Sequence, residues 1–294
     1  MAADIDHALI LERLGDSHEQ RLIEALARLE QRVIGIVATA PVQEGKLFDL
    51  EWAINARSQI QSILEQDYLT QVQTIIEGYD EAVEASKTML GQYGIFAEVE
   101  PEIIRNLKRL SFQGFEAIGV EYLDVLANEV YQNTISGRPI EESIKTIRHA
   151  INGVYIEADS AEAEKLVNIA KNGTEEEQKE AIDKLHRYYA RDKIGRNLRR
   201  YATQMARDSL MQFNASIAVA TGKKIGATKW KYYGSLVQDS RDWCIAHVNR
   251  VMTEDQIREE WAENDWQGKA PGDPFIVRGG YNCQHHFRPS VRGK

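Results

Sequence analysis

The stretch LIEALARLEQRV, Leu22 to Val33, decides the fold class. Leu22, Leu26, Leu29 and Val33 step by four, three and four, with polar Glu19, Gln20, Glu24 and Arg28 around them. A helix turns once in about 3.6 residues, so these four side chains form one apolar stripe that needs a partner. The pattern repeats in Ile60, Leu64, Tyr68, Val72, Ile76, Tyr79 and Val83, and again after Pro101 in Ile104, Leu107, Phe115, Ile118, Tyr122 and Val125. Pro101 suits a helix start, because its missing N–H would have no intrahelical partner there. Gly137, Arg138 and Pro139 break the chain, and Ile140, Ile144, Ile147 and Ile151 line a shorter helix beyond. Long helices with narrow stripes predict an elongated helical bundle or a helical oligomer interface over residues 1–187.

The chain has 294 residues, 43% apolar and 28% charged, with 6 Pro and 2 Cys. That composition excludes collagen, a disulfide framework and a wholly disordered chain, and the length allows a sizeable core. The longest largely apolar stretch, Val33 to Val42, is about half the ~20 residues of a membrane-spanning helix. The acidic start MAADIDHALI reads against a signal peptide. The net charge of −9 is unevenly spread. Lys184 to Lys231 holds 12 Lys+Arg against 2 Asp+Glu, a local balance of +10 inside a remainder of −19. Such a segment attracts a polyanion or an acidic protein surface. Its candidate contacts are Arg196, Arg199, Arg200 and Arg207, which fall largely off the helical stripe Ile194, Leu198, Tyr201, Met205, Phe213 and Ile217.

Thr174 and Glu177 have capping-box spacing and predict a helix from about Glu175 towards Tyr189. Composition changes at Gly222. The last 73 residues hold 8 of the 20 Gly, 4 of the 5 Trp and both Cys, which predicts a compact, turn-rich unit over 222–294. Thr228 to Tyr233 reads as a strand, Thr253 and Gln256 cap a helix through about Ala262, and Phe275 to Val277 reads as a second short strand. The expected architecture is therefore mainly α, an elongated helical region followed by a small α+β Cys/His-containing domain.

Two short pairs carry candidate chemistry. Cys244 and His247 form a C-x2-H step, and Cys283 with His285, or with His286, follows 39 residues later. Two near and two distant soft ligands suit one structural zinc ion. A disulfide formed outside the cell, or two buried thiols beside hydrogen-bonded histidines, reads equally from the same residues. Asp239, Arg241 and Asp242 would flank an open metal position in a nuclease, or simply hold the turn after the strand. No Walker-type phosphate loop, nucleophile elbow or H-E-x-x-H helix is present in the sequence.

The order of elements from Tyr188 to Val291 resembles the phage head morphogenesis family, the minor head proteins similar to the gene F product of phage Mu. The likeness rests on the helix YATQMARDS (Tyr201–Ser209), the strand Lys229–Tyr232, the loop Asp239 to Cys244 and the closing segment Gly280 to His285. Trp230, Asp239, Arg241 and Asn282 match the motif positions. The chain departs from it at Asp208, His247 and Gln284, where Thr, Cys and Arg are usual, and at Gly279 to Tyr281, where a His-Pro pair often precedes the last Cys. The resemblance implies a domain over 188–294 and a structural, non-enzymatic virion protein present in few copies. It also implies portal and other head proteins as partners, a place inside the head near the portal, and delivery with the DNA in some members; the basic segment would then face packaged double-stranded DNA, bound weakly, or an acidic portal wall. The alternatives are a metal-dependent nuclease or effector enzyme carried with the DNA, and a cellular DNA-binding adaptor.

Overall fold

The computed structural model describes residues 2–43, 46–47, 49–136, 139–152, 154–155, 165, 169, 173–174, 177, 180–181, 193–194, 198–238 and 240–290. Its helices are α1 (Ala2–Ala38), α2 (Leu50–Ile63), α3 (Thr70–Glu77), α4 (Tyr79–Gln92), α5 (Pro101–Ser136), α6 (Ile140–Asn152) and α7 (Leu198–Lys224). A π-helical stretch, Leu64–Leu69, joins α2 to α3. The expected helix over 60–83 is therefore interrupted by one wide turn, and the buried positions step by five across it, from Ile63 to Tyr68. The fold is mainly α with a small α+β part near the C-terminus. Among the described residues no helix is long and apolar enough to cross a membrane.

The chain separates into two compact units that do not follow a division at residue 187. One comprises Met1–Ala25, Tyr68–Ala117 and Ala202–Lys294, the other Leu26–Asp67 and Ile118–Tyr201. In the second, Leu26, Leu29 and Val33 are buried with Ala56, Ile60, Leu126, Val130, Ile147 and Ile151. Each such side chain contributes roughly 1.5–3 kcal/mol of burial. The stripe Leu22 to Val33 is thus consumed inside the chain. Val125 and Tyr201, expected on apolar stripes, are exposed, and Leu123, Leu126, Ala127 and Val130 are buried instead. The strand pairs Val42–Gln43 (β1) with Lys46–Leu47 (β2) and Val154–Tyr155 (β3) with Lys193–Ile194 (β4) are two residues long. The helix expected over 175–189 lies largely outside the described residues. At its start the Thr174 N–H donates to Glu177 Oε2 at 2.9 Å, as a capping box requires.

In the first unit, Tyr79 packs between His18 and Phe213 and bonds Ser209 through its hydroxyl at 2.5 Å. A three-stranded antiparallel sheet has the order β6-β5-β7, from Lys229–Tyr233 (β5), Val251–Thr253 (β6) and His286–Pro289 (β7). Between them lie α8 (Asp242–His247), α9 (Glu254–Glu263) and α10 (Pro274–Val277). The capping box of α9 is present, with Thr253 and Gln256 exchanging bonds. Phe275 to Val277 is helical rather than a strand, because Asp273 Oδ1 accepts from Phe275 N at 2.9 Å and Pro274 occupies the first turn. Side chains alternate across the sheet. Trp230, Tyr232 and Phe287 face a core with Trp243, Cys244, Met252, Ile257, Trp261, Phe275 and Cys283. Tyr233 belongs to a separate cluster with Ala3, Met89, Leu90 and Ile95. A Cβ on Gly222 would lie 2.1 Å from the Trp230 ring, so only glycine lets α7 approach β5 there.

Two buried histidines of α1 set an acid limit on this unit. Burial lowers both His7 and His18 to about 4 from the ordinary 6.5. The unfolded chain binds these protons first, so stability is full above about pH 6.5 and falls as pH drops towards 4, by about 3 kcal/mol per group. Urea unfolding followed by circular dichroism should show the midpoint dropping between pH 7 and pH 4.5. The dependence should flatten in His7→Gln/His18→Gln protein, and an unchanged wild-type midpoint would contradict this account.

Candidate metal centre

The first unit brings Cys244, Cys283 and His285 together. Cys244 sits in the first turn of α8, and Cys283 and His285 lie in the segment running into β7. Their ligand atoms all fall within 4.8 Å of one another, and all three residues are buried. The sulfurs are 3.8 Å apart, and Cys283 Sγ is 3.7 Å from His285 Nδ1. Tetrahedral zinc, with bonds of about 2.3 Å to sulfur and about 2.0–2.1 Å to nitrogen, places S···S at about 3.8 Å and S···N at about 3.6 Å. The group has the dimensions of a metal site, and both thiols are free. His285 Nε2 is buried with no hydrogen-bond partner among the described residues, a costly arrangement.

Several loops hold this group in place. Arg241, preceding α8, donates to Gln267 O at 3.2 Å and to Tyr281 O, joining three loops through one guanidinium. A Cβ on Gly280, whose φ is +103°, would lie 2.0 Å from Gly268 O. Gly279 N donates to Cys283 Sγ at 3.2 Å, and a Cβ on Gly279 would lie 2.5 Å from Cys244 Sγ and 2.8 Å from Cys283 Sγ. Asn282 adopts φ +57°, and its N–H donates to the buried carboxylate of Asp208 at 2.7 Å. Arg278, with φ +56°, is 1% exposed and donates to Ile276 O and Cys283 O. A non-glycine residue at positive φ stores strain that the surrounding bonds must hold. Tyr232 OH lies 3.4 Å from one sulfur and 3.5 Å from the other, and its ring stacks on His285.

The two thiols share a proton unequally. The hydrogen bond shared with Cys244, helped by His285 and the charge of Arg278, holds the Cys283 thiol well below its ordinary range against the effect of burial. The same bond and burial push Cys244 up. The two sulfurs thus titrate together, and a bound cation would take the place of a proton between them.

His247, expected as a fourth ligand, is not in the group. Its ring stacks on Trp243, Nδ1 lies 2.6 Å from Trp243 O, and Nε2 lies 2.7 Å from Glu260 Oε2. Glu260 is itself held by Arg250 through bonds of 2.8 and 3.0 Å, which keep its carboxyl below the usual range. His286 is also excluded, since strand alternation turns it to the opposite face beside His7, Tyr233 and Asn214.

The other expected positions separate. Trp230 is a core residue packed edge-on to Phe275. Asp239 and Arg196 lie outside the described residues. Asp242 is exposed and lines a cleft of about 720 Å³, whose wall also includes Glu12, Arg241, Trp266 and Gln284, and whose lining includes all three clustered residues. Arg207 is taken up by ion pairs with Asp16 at 2.6 Å and with Glu19. Arg199 contacts Asn152 at 3.5 Å beside a cavity of about 530 Å³ that also includes Glu30 and Arg148. Arg200 is exposed. Asp208, Tyr232, Arg278 and Gly279 were missed as site residues. The Gly279-Gly280 pair just before Cys283 was the available signal. The chain matches no protein-family model, no curated protein and no solved structure.

Gly279→Ala should weaken metal uptake by about 10–100-fold, the scale of a change beside the ligands, while helical circular dichroism is retained. Elemental analysis after dialysis against a graded chelator reads this directly, and wild-type uptake by the variant would refute the close packing described.

Proposed function

We propose that this chain is a structural minor head protein of a tailed phage, associated with the portal inside the capsid, and that Cys244, Cys283 and His285 hold one zinc ion in it. One observation carries this reading. Apart from Tyr201, the described residues of the four separated segments that resemble the head morphogenesis family lie in one compact unit, and the segments engage one another. Asp208 of the YATQMARDS helix accepts from Asn282, Tyr232 of the strand lies against both sulfurs, and Arg241 of the Cys loop bonds Tyr281. Of the motif positions, Arg241 and Asn282 make these contacts and Trp230 lies in the adjoining core, while Asp208 is this chain's departure from the motif. When bound, zinc supplies a cross-link between α8 and the segment entering β7. The chain's own residues orient the donors.

In this role the protein contacts portal and neighbouring head proteins, and meets packaged DNA weakly through phosphates. Arg199 and the exposed Arg200 lie in the basic segment proposed for that contact, and Arg207 is engaged by Asp16 and Glu19. The second reading, a metal-dependent nuclease or effector enzyme delivered with the DNA, draws on the placement of the donor group in the lining of a cleft that Asp242 shares.

Purified phage particles should contain the protein, and a phage lacking it should yield few infectious, DNA-filled heads. Its absence from particles together with normal assembly of the deletion phage would end the head-protein reading. Recombinant protein should carry close to one zinc per chain, and Cys283→Ala should carry none. Zinc-loaded protein that cleaves duplex DNA, with the cleavage lost in Asp242→Asn, would instead select the nuclease.

A further inference from the structure

We propose that the metal centre is completed from outside the chain: Cys244, Cys283 and His285 supply three ligands, and the fourth position opens on the cleft and exchanges water for a small thiolate. The inference rests on the metal reading above and goes beyond the closed four-ligand site that the sequence spacing predicted. Among the described His, Cys, Asp and Glu side chains only these three place ligand atoms within 4.8 Å of one another. His247, the fourth donor by spacing, is committed to Trp243 O and Glu260. Structural zinc is closed by four protein ligands, whereas three protein ligands leave a position for an exchangeable one.

The geometry gives that position an access route. All three donors line the cleft of about 720 Å³, although each residue is at most 4% exposed. The donors therefore sit at the base of an opening large enough for a small molecule. The remaining lining is polar, with Ser235, Ser240, Asn282 and Gln284 beside Trp266.

Charge and softness select the ligand. Two thiolates neutralise a divalent ion, so water leaves the resting centre neutral. A donor set of two sulfurs and one imidazole nitrogen favours a soft third sulfur over a carboxylate or chloride. The negative charge of an entering thiolate is met by Arg241 on the cleft wall and by buried Arg278, which stands against Cys283. Glu12 and Asp242 line the same cleft, and Asp208 lies behind Asn282, so the site tolerates one small anion and disfavours multiply charged ones. The exchange is balanced without redox chemistry: the thiol gives its proton to solvent, its sulfur bonds the metal, and water leaves.

Cobalt(II) reports both steps on the full-length protein. Chelator-stripped protein loaded anaerobically with cobalt should take up one ion per chain and show the visible bands of a tetrahedral site. Titration with 2-mercaptoethanol should then raise the sulfur-to-cobalt charge-transfer absorption saturably, as a third thiolate joins two, with one cobalt retained after gel filtration. His247→Gln should bind cobalt with the wild-type spectrum, whereas His285→Ala should lose stable uptake. A cobalt-loaded spectrum indifferent to the thiol, loss of cobalt to it, or an altered spectrum in His247→Gln would overturn the open position and leave the metal reading standing. Failure to bind cobalt or zinc at all would remove both.

Discussion

A buried carboxylate near the start of the chain closes the unit that contains the site. Asp4 accepts from Arg288 Nε at 2.7 Å and from Lys231 Nζ at 3.2 Å, joining residues 284 positions apart. Burial alone would raise this carboxyl, and the bond and charge of Arg288 outweigh it and hold the group below its ordinary range. The Arg288 guanidinium also lies 3.7 Å from the Tyr93 ring centre, so the pair is covered by an aromatic face. Removing one partner of such a pair leaves an uncompensated buried charge, at a cost of about 3–5 kcal/mol. Around it, His7 lies 2.9 Å from the Tyr233 hydroxyl and 3.2 Å from Ser86, and Asn214 approaches His286. One face of the short sheet is thereby sealed by α1 and α4.

That seal determines what the other face can be. Strand alternation sends Tyr233 and His286 towards α1, and Tyr232 and Phe287 towards the aromatic core. The consequence reaches the candidate centre directly, because Tyr232 lies against both sulfurs and stacks on His285. The loop 278–283 then needs three residues at positive φ, Arg278, Gly280 and Asn282, to fold back on itself. Its strain is carried by Arg278 bonding Cys283 O, by Asp208 receiving Asn282 N, and by Gly280 lying against Gly268. The tryptophans complete the enclosure. Trp243 stacks on His247 and Trp266 and meets Trp261 edge-on, and Lys269 lies over two of these rings. The donors are thus held by a rigid shell, and α8 is fastened to it through Glu260 and Arg241.

The helical part of this architecture was legible because a stripe at 3.6 spacing states its own secondary structure. Leu22, Leu26, Leu29 and Val33 are buried as their spacing required, and the Thr253–Gln256 box starts α9 where it was expected. Strand β5 was legible from its aromatic alternation. Strands β6 and β7 were not, since three or four residues such as VMT or HFRP carry no periodic signal without their partner. Phe275 to Val277 misled for the same reason. A short apolar run is ambiguous, and the decisive term was a local cap from Asp273. The division into units was equally hidden, because α1, α5 and α7 each contribute residues to both.

For the site, residue type and approximate place were written in the chain, and membership was not. Cys244, Cys283 and His285 were candidates by chemistry alone, since soft donors are few here and cluster after Gly222. His247 had an equal claim by spacing and lost it to Glu260, a residue 13 positions on that no motif connects with it. His286 lost its claim because, as the first residue of β7 opposite Tyr233, it faces away from the sulfurs, which only the pairing of β7 with β5 establishes. Arg207 looked like a free basic group until the folded chain brought Asp16 and Glu19 against it. Helices follow from local spacing, because their bonds and stripes close within a few residues. The candidate donor group and the cleft it lines follow from contacts between distant segments, and these exist only once the chain has folded.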